Sequence, residues 1–115
     1  MEAMMNKKTL DLITPGTILY EEFMEPLGIT AYKLSKDIKV QQTAISQIIK
    51  GNRRITVEMA LRLSKYFDNS AQFWLNLQNY YDLELETEKK QNLIAEIIPY
   101  KRITESETVH TPVYR

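Results

Sequence analysis

The chain has 115 residues, 43% of them hydrophobic, with no cysteine and a formal net charge of zero. That length suits one domain with a modest core, and the lack of cysteine excludes disulfides and thiolate metal sites. No apolar run is long enough to span a bilayer, and the start MEAMMNKKTL has no continuous apolar stretch of the kind a signal peptide needs, so a cytoplasmic setting is the default expectation.

Caps and apolar spacing predict an all-α chain of five helices. Residues 1–13 read as a mobile lead-in, 14–91 as the domain with its fifth helix, and 92–115 as a C-terminal extension and tail. Thr14 is a good N-cap for the first helix, and Pro15 suits the first helical position, where a missing N–H costs nothing. Ile18, Leu19 and Phe23 give its inward face, and Pro26 with Gly28 closes it. Thr30 caps the second helix, whose buried stripe is Ala31, Leu34, Ser35 and Ile38. Lys39 and Val40 make a turn. The third helix covers roughly residues 41–50, with Gly51 where a left-handed cap is expected.

After a loop at 52–55, Thr56 caps the fourth helix, with Glu58 set favourably against the helix dipole. Ala60, Leu61, Leu63, Ser64 and Phe67 supply its buried positions. Asp68 and Asn69 turn the chain, and Ser70 caps the fifth helix. That helix carries Phe73, Trp74, Leu77, Tyr80 and Tyr81 in a 3-4 pattern and can continue through the acidic run LELETEKK. Glu86 and Lys90, four residues apart, support it by ~0.2–0.5 kcal/mol. Leu93, Ile94, Ile97 and Ile98 keep helical spacing until Pro99 stops any helix.

Charge is segregated along the chain. From Tyr32 to Tyr66 there are eight bases against two acids. Asp11 to Glu25 holds four acids and no base, and Asp68 to Glu88 holds five acids and no base. A neutral chain can therefore still present a basic face to phosphate.

The stretch TAYKLSKDIKVQQTAISQIIKGNRRIT carries the strongest functional signal. The third helix places Gln41, Gln42, Thr43, Ser46 and Gln47 on one side and Ile45, Ile48 and Ile49 on the other. Exposed helices more often carry Glu and Lys than a row of amides and hydroxyls. Amide and hydroxyl side chains can pair with base edges in a DNA major groove, and an apolar back docks such a helix onto a supporting core. The pattern points to a helix-turn-helix reader. Lys50, Asn52, Arg53 and Arg54 follow directly, where cations position a protein on the phosphate backbone without reading sequence. Helix N-termini offer N–H groups to phosphates, which adds Thr30 and Lys33 at the start of the second helix.

With these residues in view, the chain resembles a known family. TPGTILYEEFMEPLGIT, ISQIIKGNRRIT and MALRLSKYFDNSAQFWLNLQNYYDLE look like antitoxins of the HigA/VapI type, within the Xre-like, phage-repressor-like helix-turn-helix superfamily. The resemblance covers about residues 11–103. Ser35, Val40, Ile45 and Ile48 stand at the superfamily's small and apolar positions. Lys39 stands in the turn where Gly is usual; a positive φ there would cost of order 1 kcal/mol.

The resemblance implies a repressor that binds its own operator as a dimer and neutralises a HigB/RelE-like mRNA-cleaving toxin. An alternative is a stand-alone regulator without a toxin; a third is an interaction module that has lost DNA. A single recognition helix reads few base pairs, so a homodimer is expected, with Trp74, Tyr81, Leu93, Ile94 and Ile97 at its interface. The acidic segments have no use against DNA and would suit a basic partner.

Other chemistries find little support. The aromatic stripe around Trp74 could stack bases, but at helical spacing it reads as core or dimer interface. Glu21, Glu22 and Glu25 diverge on a helix and have no partner for acid–base work. His110 is the only histidine and has no ligand neighbours in sequence. No Gly-rich phosphate loop occurs. No enzyme activity, metal or cofactor is expected.

Overall fold

The structure, a computed structural model, describes residues 12–101. Among the described residues five helices follow one another and no strand occurs. The first, α1, runs through three pieces without a break: Pro15–Ile18, a wider π-helical stretch at Leu19–Met24, and a last turn at Glu25–Leu27. Then come α2 (Ala31–Ile38), α3 (Gln42–Ile49), α4 (Val57–Phe67) and α5 (Ala71–Ala95).

Side-chain caps open four of them as the sequence predicts. The hydroxyl oxygens of Thr14, Thr30, Thr56 and Ser70 accept N–H bonds from Thr17, Lys33, Met59 and Phe73. Left-handed residues close four helices: Gly28, Lys39, Gly51 and Asp68. After each, a backbone N–H reaches back five residues, as from Val40 to Ser35 and from Asn52 to Gln47. This closure satisfies carbonyls that a helix end would otherwise leave open. Lys39 has φ 60°, so the turn is built without its usual glycine.

Pro26 is a correction. It lies inside the last turn of α1, and Gly28 alone ends the helix. A regular α-helix would press the proline ring against the Glu22 carbonyl. The π-helical stretch through Glu22 widens that turn and accommodates the ring.

The core draws on every helix: Leu19 and Met24, Leu34 and Ile38, Ala44, Ile45 and Ile48, Met59, Ala60 and Leu63, and Trp74, with Ile55 from the loop. Trp74 is fully enclosed. Its ring centroid lies 4.8 Å from that of Phe23 and 5.0 Å from that of Phe73. Its indole N–H donates to the side-chain oxygen of Asn69 at 2.8 Å.

Three expected core positions are exposed, Phe73 only marginally. Leu61 is 56% exposed, because it shares the outer face of α4 with Glu58 and Lys65, while Met59 takes the inner position. Tyr80 is 66% exposed; Gln78 turns inward in the stripe instead.

α5 crosses residue 91 without interruption and ends at Ala95. Its buried residues are Trp74 and Gln78, both in its first third. Leu85 still borders α1 at Thr14 and Pro15, whereas Leu83, Leu93 and Ile94 are exposed. Most of the expected lead-in and most of the tail, including His110, lie outside the described residues.

Candidate nucleic-acid interface

The recognition unit is built from its apolar back outward. On α3, Ala44, Ile45 and Ile48 are buried and Ile49 is half-buried. The opposite side carries Gln41, Gln42 and Thr43, all exposed, with Ser46 and Gln47 half-exposed. The structure thus brings all five amide and hydroxyl residues to one face. Gln41 is the N-cap residue, yet its side chain makes no capping bond, which leaves the amide outward.

Two contacts place this helix that sequence reasoning missed. Gly16 of α1 lies so close to α3 that an added Cβ would stand 1.7 Å from the Ile48 carbonyl oxygen. Only glycine permits this approach, and nothing in the sequence distinguishes it from a simple helix-start residue. Arg62 of α4 reaches across to α2. Its guanidinium donates to the Ile38 carbonyl at 2.6 Å and is held by Glu58 at 2.7 Å. A cation at the end of α2 meets carbonyls that its last turn leaves unbonded, so Arg62 pins the turn that sets α3 against α2. An i, i+4 pair of Glu and Arg was the available signal.

On the outer side of α2, Lys33 lies 3.0 Å from Asp37, and the Tyr66 hydroxyl donates to Asp37 at 2.6 Å. The Asp37 carboxyl is held below the usual carboxylate range, first by the Tyr66 hydrogen bond and then by Lys33. The Lys33 ammonium is raised, chiefly by its hydrogen bond to Asp37. Lys33 is thus committed within the helix, while Thr30 spends its oxygen as a cap.

The basic loop after α3 divides. Lys50 and Arg53 are exposed and hold no ion pair among the described residues. Asn52 donates its amide to the Gln47 side-chain oxygen at 3.2 Å, so the loop helps to orient a candidate reader. Arg54 turns away and meets Asp82 of α5 at 2.7 Å. The expected dimer residues divide too. Leu93, Ile94 and Ile97 are exposed and Tyr81 is half-buried, but Trp74 has no surface to offer a partner. It is a core residue, and its assignment to an interface is corrected.

The helix-turn-helix family model matches residues 21–74. Virulence-associated protein I of Dichelobacter nodosus is 41% identical over 76% of this chain and 81% of its own length. Among solved structures, the Pseudomonas aeruginosa antitoxin HigA with the higBA promoter superposes with a TM-score of 0.74 at 38% identity, covering 76% of this chain and 96% of that one. An addiction module antidote protein of the HigA family from Coxiella burnetii gives a TM-score of 0.73 at 37% identity, covering 77% and 98%. The polar face on α3, the pinned turn behind it and these likenesses agree: the chain belongs to the helix-turn-helix family that includes virulence-associated protein I and the HigA antitoxins.

Proposed function

We propose that this chain is a sequence-specific DNA-binding repressor and the antitoxin of a type II toxin–antitoxin module. The single observation that carries the first part is the face of α3, where five amide and hydroxyl residues stand together above a buried apolar back. Gln42, Thr43, Ser46 and Gln47 read base edges, with Gln41 at the helix start. Lys50, Asn52 and Arg53 position the protein on phosphates, and the N-terminus of α2, just after its Thr30 cap, adds N–H donors. The likeness to a HigA solved with its promoter supports the same use of this face.

The protein acts as a homodimer. The supporting observation is the end of α5 and the segment after it, where Leu93, Ile94, Ile97 and Ile98 are each more than half exposed. A second copy covering this surface would place two α3 helices on successive major grooves. The test is enrichment of duplexes from a random pool by the immobilised protein. A two-fold symmetric sequence family is the expected product; recovery of no enriched sequence overturns the reading.

Toxin neutralisation rests on the likeness to HigA antitoxins and an addiction module antidote protein. Glu21, Glu22 and Glu25 are exposed on α1 and form no ion pair among the described residues. By contrast Asp82 and Glu86 are engaged by cations of the same chain. A basic mRNA-cleaving partner of the HigB/RelE kind is therefore assigned to the acids of α1, since complementary charge speeds encounter and fixes orientation. Co-purification with the neighbouring gene product tests this, and reversal of the three α1 charges should release the partner. A complex indifferent to those reversals removes the placement.

A further inference from the structure

We propose that Asp82 withholds Arg54 from the DNA backbone and thereby limits the strength of binding, with Gln78 aiming the carboxylate. This rests on the DNA-binding reading above and assigns a positioning role within it. Arg53 and Arg54 are neighbours in sequence and equal in charge, and both border the recess beside Asp82, but among the described residues only Arg54 is ion-paired there. Arg53 also lines a second surface recess, of about 330 Å³, with Lys39, Gln41, Thr56 and Glu58 at the N-terminal end of α3. Arg54 is bonded to α5, its Nη2 lying 2.7 Å from Asp82 Oδ2.

The carboxylate is itself held. Gln78 Nε2 donates to Asp82 Oδ1 at 3.0 Å, and Gln78 Oε1 accepts the Ile55 backbone N–H at 2.7 Å. Gln78 is 4% exposed, so its amide is fixed by the protein and not by water. The loop after α3 is therefore tied to α5 at two consecutive residues, through the Arg54 side chain and the Ile55 backbone. A surface ion pair whose partners swing freely contributes little. Here one partner is locked by a buried amide, which spares part of the entropy that such a pair normally loses. A phosphate seeking Arg54 has to displace a carboxylate already at contact distance and lies close to its negative charge. Arg53 forms no ion pair among the described residues: the two carboxylates that border its recesses, Asp82 and Glu58, are held by Arg54 and Arg62.

The experiment is a salt series of anisotropy titrations with the full chain, on the enriched duplex and on a random-sequence duplex. Each phosphate contact contributes about 0.9 to the slope of log affinity against log salt. Arg53→Ala should flatten the slope by about that amount on both duplexes. Arg54→Ala should leave the slope at the wild-type value. Asp82→Asn keeps an Oδ1 acceptor for Gln78 and removes the charge; it should steepen the slope by about 0.9 and tighten random-duplex binding several-fold. The double variant Arg54→Ala with Asp82→Asn should return to the wild-type slope.

The proposal falls if Arg54→Ala flattens the slope as much as Arg53→Ala, or if folded Asp82→Asn leaves it unchanged. Circular dichroism establishes folding, and should Asp82→Asn not fold, the Arg54→Ala slope alone decides. If the wild-type chain binds neither duplex, the DNA-binding reading itself falls and this inference with it; if it binds but Arg53→Ala has no effect, the loop after α3 does not hold phosphates and this inference falls alone.

Discussion

The recognition unit and the outer part of α5 are both helical and both carry exposed side chains, but they are held very differently. α3 is fixed from three directions: Gly16 of α1 lies against its backbone, Arg62 of α4 clamps the turn before it, and the loop after it is bonded to α5. Its exposed residues are amides and hydroxyls that lose nothing in water. In the outer part of α5, Leu83, Leu93 and Ile94 face solvent. The comparison separates two reasons for a residue to be outside. Polar groups on a rigid support are presented to a ligand, whereas exposed apolar groups await a surface to cover them.

The largest expected effect tests whether the body and the outer helix are independent. Trp74→Ala should cost about 3–5 kcal/mol of unfolding free energy, because it empties the centre of the aromatic cluster. Ile94→Ala should change unfolding of the isolated protomer by less than ~0.5 kcal/mol, as an exposed position, while weakening the dimer measured by analytical ultracentrifugation. Equal costs at the two sites would show that the outer helix is part of the fold.

Gly16→Ala comes next. An added methyl has to push α1 away from the Ile48 carbonyl, and overpacking of this kind costs about 1–3 kcal/mol. Denaturant unfolding measures the cost. DNA affinity of the folded fraction should fall as well, since α3 loses its support. A methyl accepted without loss would mean that α1 does not position the reader.

Lys39→Gly should act in the opposite sense. The left-handed conformation at φ 60° costs a non-glycine residue about 1–2 kcal/mol. Glycine relieves this but gives back part of it through unfolded-chain entropy. A modest rise in the thermal midpoint is expected; a fall would show that the lysine stem is packed to advantage.

The smallest effect concerns Asp37. Its folded-state value lies below the ordinary 3.8, with the Tyr66 hydroxyl as first cause. A depressed carboxyl stabilises the fold above its ordinary value and loses that contribution as pH falls through the lower folded value. Tyr66→Phe should therefore lower the thermal midpoint at neutral pH, and the gap from wild type should narrow on acidification below that range. A gap that widens in acid would contradict the assignment.

Much of this fold was legible because its signals are local. Thr14, Thr30, Thr56 and Ser70 cap helices through bonds to residues three positions on, and Gly51 adopts the conformation that its place after α3 predicts. The polar face of α3 was legible for the same reason: helical spacing alone puts Gln42, Thr43, Ser46 and Gln47 together. What escaped depends on contacts between distant residues. Arg54 reads as a phosphate cation until Asp82, far along the chain, is brought beside it. Gly16 reads as an ordinary helix start until the Ile48 carbonyl arrives against it. Trp74 has the character of either core or interface, and only the packing of α1 and α4 around it decides.

The central claim is that α3 reads bases while the loop after it holds phosphates. The direct test is titration of Gln42→Ala on the enriched duplex and on a random-sequence duplex at fixed salt. Loss of about 1–3 kcal/mol on the enriched duplex, with random-sequence binding unchanged, is the predicted result. Equal weakening on both duplexes would contradict the claim and place the reading face elsewhere.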